Sequence, residues 1–137
     1  MNKGFTLVEL LAVMVILAII GGIAVVSYTS VMEKSKEDYY TNFKDNLTLG
    51  AVDYFEDNRS KRPGIGVICS KVNLKTLVDN RYIEKANDAN GKSCDLNNSY
   101  VYIKRNANAQ YEYKVVLKCD DYKDTFGENE EKAYCSN

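Results

Sequence analysis

Seventeen consecutive residues, Leu10 to Val26, carry no charge and no strongly hydrogen-bonding side chain. Such a run constrains the chain more than any other feature, because it has to be covered by lipid or by other protein. As a helix rising ~1.5 Å per residue it spans roughly 26 Å, slightly less than a bilayer core. Counting from Phe5 to Tyr28 gives roughly 36 Å, enough to cross, but it brings Glu9 into the apolar zone. A carboxylate there costs several kcal/mol unless it is neutralised or paired. A plain membrane anchor has no use for it; a helix that must recognise a positive partner does. A cleaved secretory signal fits poorly, since Ser27-Tyr28-Thr29 is a weak small-x-small site and no Cys is placed for lipid attachment.

The residues around that glutamate are Gly4-Phe5-Thr6-Leu7-Val8-Glu9-Leu10 after a short basic start with Lys3. This segment resembles the prepilin peptidase recognition sequence of the type IV pilin superfamily. The resemblance covers about the first 28 residues, where the Gly-Phe junction, the glutamate and the apolar run occur together. It implies cleavage between Gly4 and Phe5, N-methylation of Phe5, and pairing of Glu9 with the N-terminal amine of a neighbouring subunit. One departure is that many members of that family have a proline where this chain has Val26. Gly21-Gly22 is the remaining weak point in the helix, each Gly costing it about 1 kcal/mol relative to Ala. Two uses stand side by side: local unwinding there, or close packing of helices through small residues.

Beyond Tyr28 the chain turns polar and Tyr-rich, and its net charge of −1 is unevenly spread. Thr29–Asn58 has three lysines against seven acids, a net −4. Arg59–Lys118 has twelve basic residues against five acids, a net +7, and Cys119–Asn137 has two against six, again −4. A basic middle between acidic stretches suits self-association of identical copies. It also suits phosphate, so nucleic acid is a possible partner but not the favoured one. With no His in the chain, His-based triads, His metal sites and His acid–base chemistry are excluded. No nucleophile motif or metal-ligand cluster stands out; we expect no cofactor, no metal and no enzymatic activity. The acidic stretch Asp120 to Glu131 has Tyr122 in the third ligand position and a misplaced Gly for an EF-hand, and reads as a solvated loop.

Apolar residues recur at Tyr40, Phe43, Leu47, Ala51 and Tyr54, widened by Val52 and Phe55, with steps of three and four. The spacing predicts one helix from Phe5 to about Asn58, apolar all round in its first half and amphipathic in its second, roughly 80 Å long. Pro63-Gly64-Ile65-Gly66 breaks the pattern. Asn73 is placed to cap a short helix from Leu74 to about Asp79, with Leu74, Leu77 and Val78 inward. Tyr82-Ile83 reads as an extended contact and Asn87 to Ser99 as a loop. Tyr100–Lys104 and Tyr111–Lys118 alternate as strands, with Val101 and Ile103 on one face and Tyr111, Tyr113, Val115, Leu117 and Cys119 on another. Arg105–Gln110 suits the turn between them, and Val67-Ile68-Cys69 a third strand.

The four cysteines, Cys69, Cys94, Cys119 and Cys135, are widely spaced without a C-x-x-C, which favours disulfides in an oxidising compartment over zinc. Spacing alone leaves three pairings open. Cys119 follows the inward strand face, and an acidic tail with few apolar residues needs fastening, which favours Cys119–Cys135. The type IV pilin resemblance supports that bridge, and Cys69–Cys94 follows by elimination. Cys69–Cys135 with Cys94–Cys119 stays the competing arrangement.

The expected architecture is α+β, type IV pilin-like: a long N-terminal helix packed on a small antiparallel sheet. Residues 1–4 form the leader, 5–28 the membrane and filament-core half of the helix, and 29–137 an extracellular globular domain. The resemblance implies a homopolymeric extracellular filament subunit. Its partners would be identical subunits, a prepilin peptidase and a membrane assembly machinery. Before assembly it would sit in the cytoplasmic membrane as a single pass with its N-terminus inside, as the basic leader requires. The alternatives are a minor pseudopilin of a competence DNA-uptake machine or of a type II secretion system.

Overall fold

The computed structural model describes residues 3–136. The elements run α1 (Leu7–Asp57), a single 3-10 turn (Arg59–Lys61), β1 (Cys69–Asn73), α2 (Leu74–Asp79), β2 (Tyr100–Arg105), β3 (Tyr111–Val116) and α3 (Glu128–Cys135). This is an α+β arrangement like that of type IV pilins: a long N-terminal helix and a three-stranded antiparallel sheet in the order β1-β2-β3. The chain divides into two compact units, 1–38 and 39–137. That structural division is distinct from the expected boundaries at residues 4/5 and 28/29.

In the first unit α1 is continuous through Gly21 and Gly22, and a Cβ added at either glycine would meet nothing within 4 Å. Local unwinding is thus not a property of the isolated subunit. The described side chains from Phe5 to Val25 are all exposed, so this part of the helix buries nothing within its own chain.

In the second unit the predicted stripe is the core. Tyr40, Phe43, Leu47, Ala51, Tyr54 and Phe55 cluster with Val72, Leu74, Leu77, Val101, Ile103, Val115 and Leu117. Each large side chain contributes roughly 1.5–3 kcal/mol by leaving water, which holds this half of the helix to the sheet. Gly50 lies where the chain after α2 comes close to the helix: a Cβ there would sit 2.5 Å from Ile83 Cγ2 and 3.0 Å from the Tyr82 carbonyl oxygen. Asn73 caps α2 as expected, its side chain accepting from the Thr76 amide at 2.9 Å. The β2–β3 turn is organised by Asn106, whose Oδ1 accepts from the amides of Asn108 and Gln110, each at 3.0 Å.

Three expectations need correction. The third strand is Cys69–Asn73 rather than 67–69, pairing Val72 with Val101 and Lys71 with Tyr102. Its polar residues concealed it, because Val72 is the only buried residue of this strand. The second concerns the acidic tail, which is not simply a solvated loop. Residues 128–135 form α3, and Tyr102 on the sheet's other face is 4% exposed, with ring contacts to Phe126 at 5.2 Å and Tyr134 at 6.4 Å. Glu131 accepts from Lys71 and from the Tyr102 hydroxyl at 3.4 and 3.3 Å. The sheet is therefore covered on both faces. Third, the disulfides are Cys69–Cys135 and Cys94–Cys119, not Cys69–Cys94 and Cys119–Cys135. The reason is α3: lying across the sheet, it carries Cys135 to β1, with a Cα–Cα distance of 5.3 Å to Cys69. Cys119 then meets Cys94 inside the core, both nearly fully buried.

Candidate processing and assembly site

Gly4, Phe5 and Glu9 lie together at the head of α1. Residues 3–6 are non-helical, and helical hydrogen bonding begins with the Leu10 amide donating to the Thr6 carbonyl at 3.2 Å. Thr6 is therefore the N-cap. Its Oγ1 accepts from the Glu9 amide at 3.3 Å, and its own amide donates to Glu9 Oε2 at 3.0 Å. These reciprocal bonds form a capping box, with Thr at the cap and Glu three residues on. The pattern Thr6-Leu7-Val8-Glu9 is readable in the sequence, but attention to the charge of Glu9 in lipid passes over its local bond.

Phe5 is 89% exposed, and with Glu9, Leu10, Ala12 and Val13 it borders a shallow open hollow of about 540 Å³. A Cβ added at Gly4 would touch nothing within 4 Å, so the fold itself places no demand for glycine there. Residues 1–25 match the family model of the prokaryotic N-terminal methylation motif. The chain carries a type IV prepilin-like leader. This motif is that of a type IV pilin-like or pseudopilin precursor, a structural rather than enzymatic family. It implies processing by a prepilin peptidase and assembly into a pilus-like filament. The apolar helix behind the leader fits membrane anchoring beforehand, α1 being long and apolar enough to cross a bilayer. No curated protein and no solved structure matches the chain significantly.

Elsewhere, charged groups serve the fold. The Tyr40 hydroxyl donates to Asp121 and accepts from the Ala89 amide at 3.1 Å, while its ring stacks on Tyr122 at 4.2 Å. Burial and the bond to Asp121 push the Tyr40 hydroxyl well above its ordinary pKa. Lys44 donates to Tyr122 and Asp124, each at 2.8 Å. Burial works against its charge, but these bonds outweigh it and hold its pKa up. Asp124 also accepts from the Leu117 amide at 2.9 Å, so part of the acidic run fastens the end of β3. In the basic stretch, Lys71 lies over the rings of Tyr100 and Tyr102, Lys104 over Tyr134, and Lys114 over Phe126. Several of these cations are thus already placed over aromatic faces.

Proposed function

We propose that this chain is a structural subunit, a pilin, of an extracellular type IV pilus-like filament. The observation that carries the reading is the Gly4–Phe5 junction with Glu9 at the head of an apolar helix whose described side chains are exposed. While the subunit waits in the cytoplasmic membrane, lipid covers the helix and Lys3 stays inside. The peptidase removes residues 1–4, and its need for a residue without a side chain accounts for Gly4, which the fold does not require. Phe5 becomes the methylated terminus. Helix residues 5–28 then exchange lipid for identical helices in a filament core, and 29–137 face outward. Lipid is as apolar as the helix, so the exchange gains little from hydrophobicity. It rests on packing and on pairing Glu9 with a neighbour's amine. In that core Gly21 and Gly22 serve either as a point of unwinding or as a site of close helix approach.

Glu9→Leu tests the reading. The variant should insert in the membrane at least as well as wild type, having lost an expensive carboxylate, and should be missing from filaments sheared from the cell surface. Normal assembly of Glu9→Leu contradicts the proposal. Electron microscopy with an antibody against the 39–137 unit shows where the wild-type chain resides. Neighbouring genes for a competence cluster or a secretin would instead support the DNA-uptake or secretion pseudopilin, of which the net-basic stretch Arg59–Lys118 favours the former.

A further inference from the structure

We infer that Asn90-Gly91 is a site of spontaneous covalent modification, held back by the turn that carries it, whose product releases residues 119–124 from that turn. It is the chain's one Asn-Gly pair, and both residues are exposed. The reaction needs only water. The Gly91 backbone nitrogen, on losing its proton to solvent, attacks the side-chain carbonyl carbon of Asn90. The side-chain nitrogen leaves as ammonia and a five-membered succinimide forms. Water then opens the ring at either carbonyl, giving aspartate or isoaspartate. Glycine eases the closure, having no side chain to crowd the ring.

The fold opposes the first step. The Cys94 amide donates to the Ala86 carbonyl at 2.8 Å, the Asp88 amide to the Lys92 carbonyl at 2.7 Å, and the Gly91 amide to the Asp88 carbonyl at 3.0 Å. The attacking nitrogen is therefore already engaged, in a glycine held at φ +85°. Asp88 Oδ1 also accepts from the amides of Asn90 and Lys92, each at 2.9 Å. The Asn90 side chain is tied elsewhere, its Nδ2 donating to Asp121 Oδ2 at 3.3 Å. The turn must open before the ring can close.

The same contact sets the consequence. Asparagine is a donor to Asp121; aspartate in its place is a second acceptor, with a negative charge. Asp88 in this turn is 2% exposed, and its Oδ2 has no hydrogen-bond partner among the described residues, so one buried carboxylate oxygen here already goes unpaired. The lysine of the turn, Lys92, reaches out to Asp120 at 3.9 Å. The Tyr40 hydroxyl, which donates to Asp121, is held by the Ala89 amide at 3.1 Å and stays with the turn. Repulsion between the new carboxylate and Asp121 therefore drives residues 119–124 away from the turn and from Tyr40. Isoaspartate adds a methylene to the backbone as well, which spoils the Gly91-to-Asp88 bond.

The test has two arms, both on the full chain in detergent micelles. In the first, the chain is incubated at mildly alkaline pH, either native or reduced and unfolded, and peptide mapping reads the exchange of NH for O at each asparagine. Unfolded, Asn90 should convert before any other asparagine. Native, it should convert at least about five-fold more slowly, the worth of one hydrogen bond. Equal rates in the two states, or another asparagine reacting first in the unfolded chain, overturns the inference. In the second arm the native, disulfide-intact chain is digested briefly with trypsin. Asn90→Asp should be cut after the exposed Lys123 about five-fold faster than wild type, while cleavage after Lys75 in α2 stays at the wild-type rate. Asn90→Ser, which removes the amide without adding charge, should fall between the two. Wild-type cleavage of Asn90→Asp after Lys123 refutes the release. Equal acceleration at Lys75 and Lys123 refutes it too, since the whole unit is then unfolding, and Asn90→Ser cut as fast as Asn90→Asp refutes the role of charge.

Discussion

Gly50→Ala sets two known effects against each other in the last turns of α1. Alanine is the better helix former by about 1 kcal/mol, so at an open helical position the substitution stabilises. Here the new Cβ would lie 2.5 Å from Ile83 Cγ2 and 3.0 Å from the Tyr82 carbonyl oxygen. The first contact is a branched methyl packed against the core and the second is backbone, so neither yields cheaply. Overpacking of this kind costs about 1–3 kcal/mol. The clash should win, leaving a net loss of about 1 kcal/mol. Calorimetry of the full chain in detergent should show the 39–137 unit melting about 4–8 °C lower. Ile83→Ala removes one of the two contacts, so in a double-mutant cycle its cost in the Gly50→Ala background should fall by at least about 0.5 kcal/mol. A rise in melting temperature, or strict additivity, would refute the argument that close approach explains the glycine.

The bridges differ in what they constrain: Cys69–Cys135 spans a separation of 66 residues and Cys94–Cys119 one of 25. Loop entropy assigns them about 4.4 and about 3.5 kcal/mol. Replacing Cys69 and Cys135 by Ala should free α3, making Glu128, Glu130 and Glu131 sites of glutamyl-specific proteolysis, whereas Cys94 and Cys119 to Ala should leave α3 protected. Recovery of a Cys69–Cys94 peptide from non-reducing digests would contradict the pairing. Burial, followed by the charge and hydrogen bond of Glu131, raises the Tyr102 hydroxyl to about 12. The unfolded chain ionises first as pH rises, so stability should fall between about pH 10 and 12; Tyr102→Phe should lose less over that window in urea titrations. Gly4→Val should leave the precursor uncleaved yet folded in its 39–137 unit, so loss of cleavage together with native near-ultraviolet dichroism separates a peptidase requirement from misfolding.

The long helix and its buried stripe were legible because period and burial coincide: Tyr40, Phe43, Leu47, Ala51 and Tyr54 all lie in the core. The cap at Asn73 and the strands around Val101 and Val115 were legible for the same reason, local pattern and tertiary use agreeing. Lys71 in β1 and the glutamates of α3 gave no apolar pattern, since the sheet's second face is covered by half-buried rings and lysine stems rather than by a continuous stripe. Overlooking α3 misassigned the disulfides, because a tail treated as a loop gave Cys135 no reason to reach β1. At the N-terminus Gly4, Phe5 and Glu9 stood out by type and spacing. Thr6 did not, because its role is a pair of short-range bonds that look like ordinary helix initiation.

The mass of the chain recovered from filaments sheared off the cell surface tests the central claim most directly. The account predicts a polypeptide beginning at Phe5, one methyl group heavier than the unmodified residues 5–137, with two intact disulfides. A chain retaining Met1 in those filaments, or a chain confined to the membrane fraction with no filament form, would contradict it.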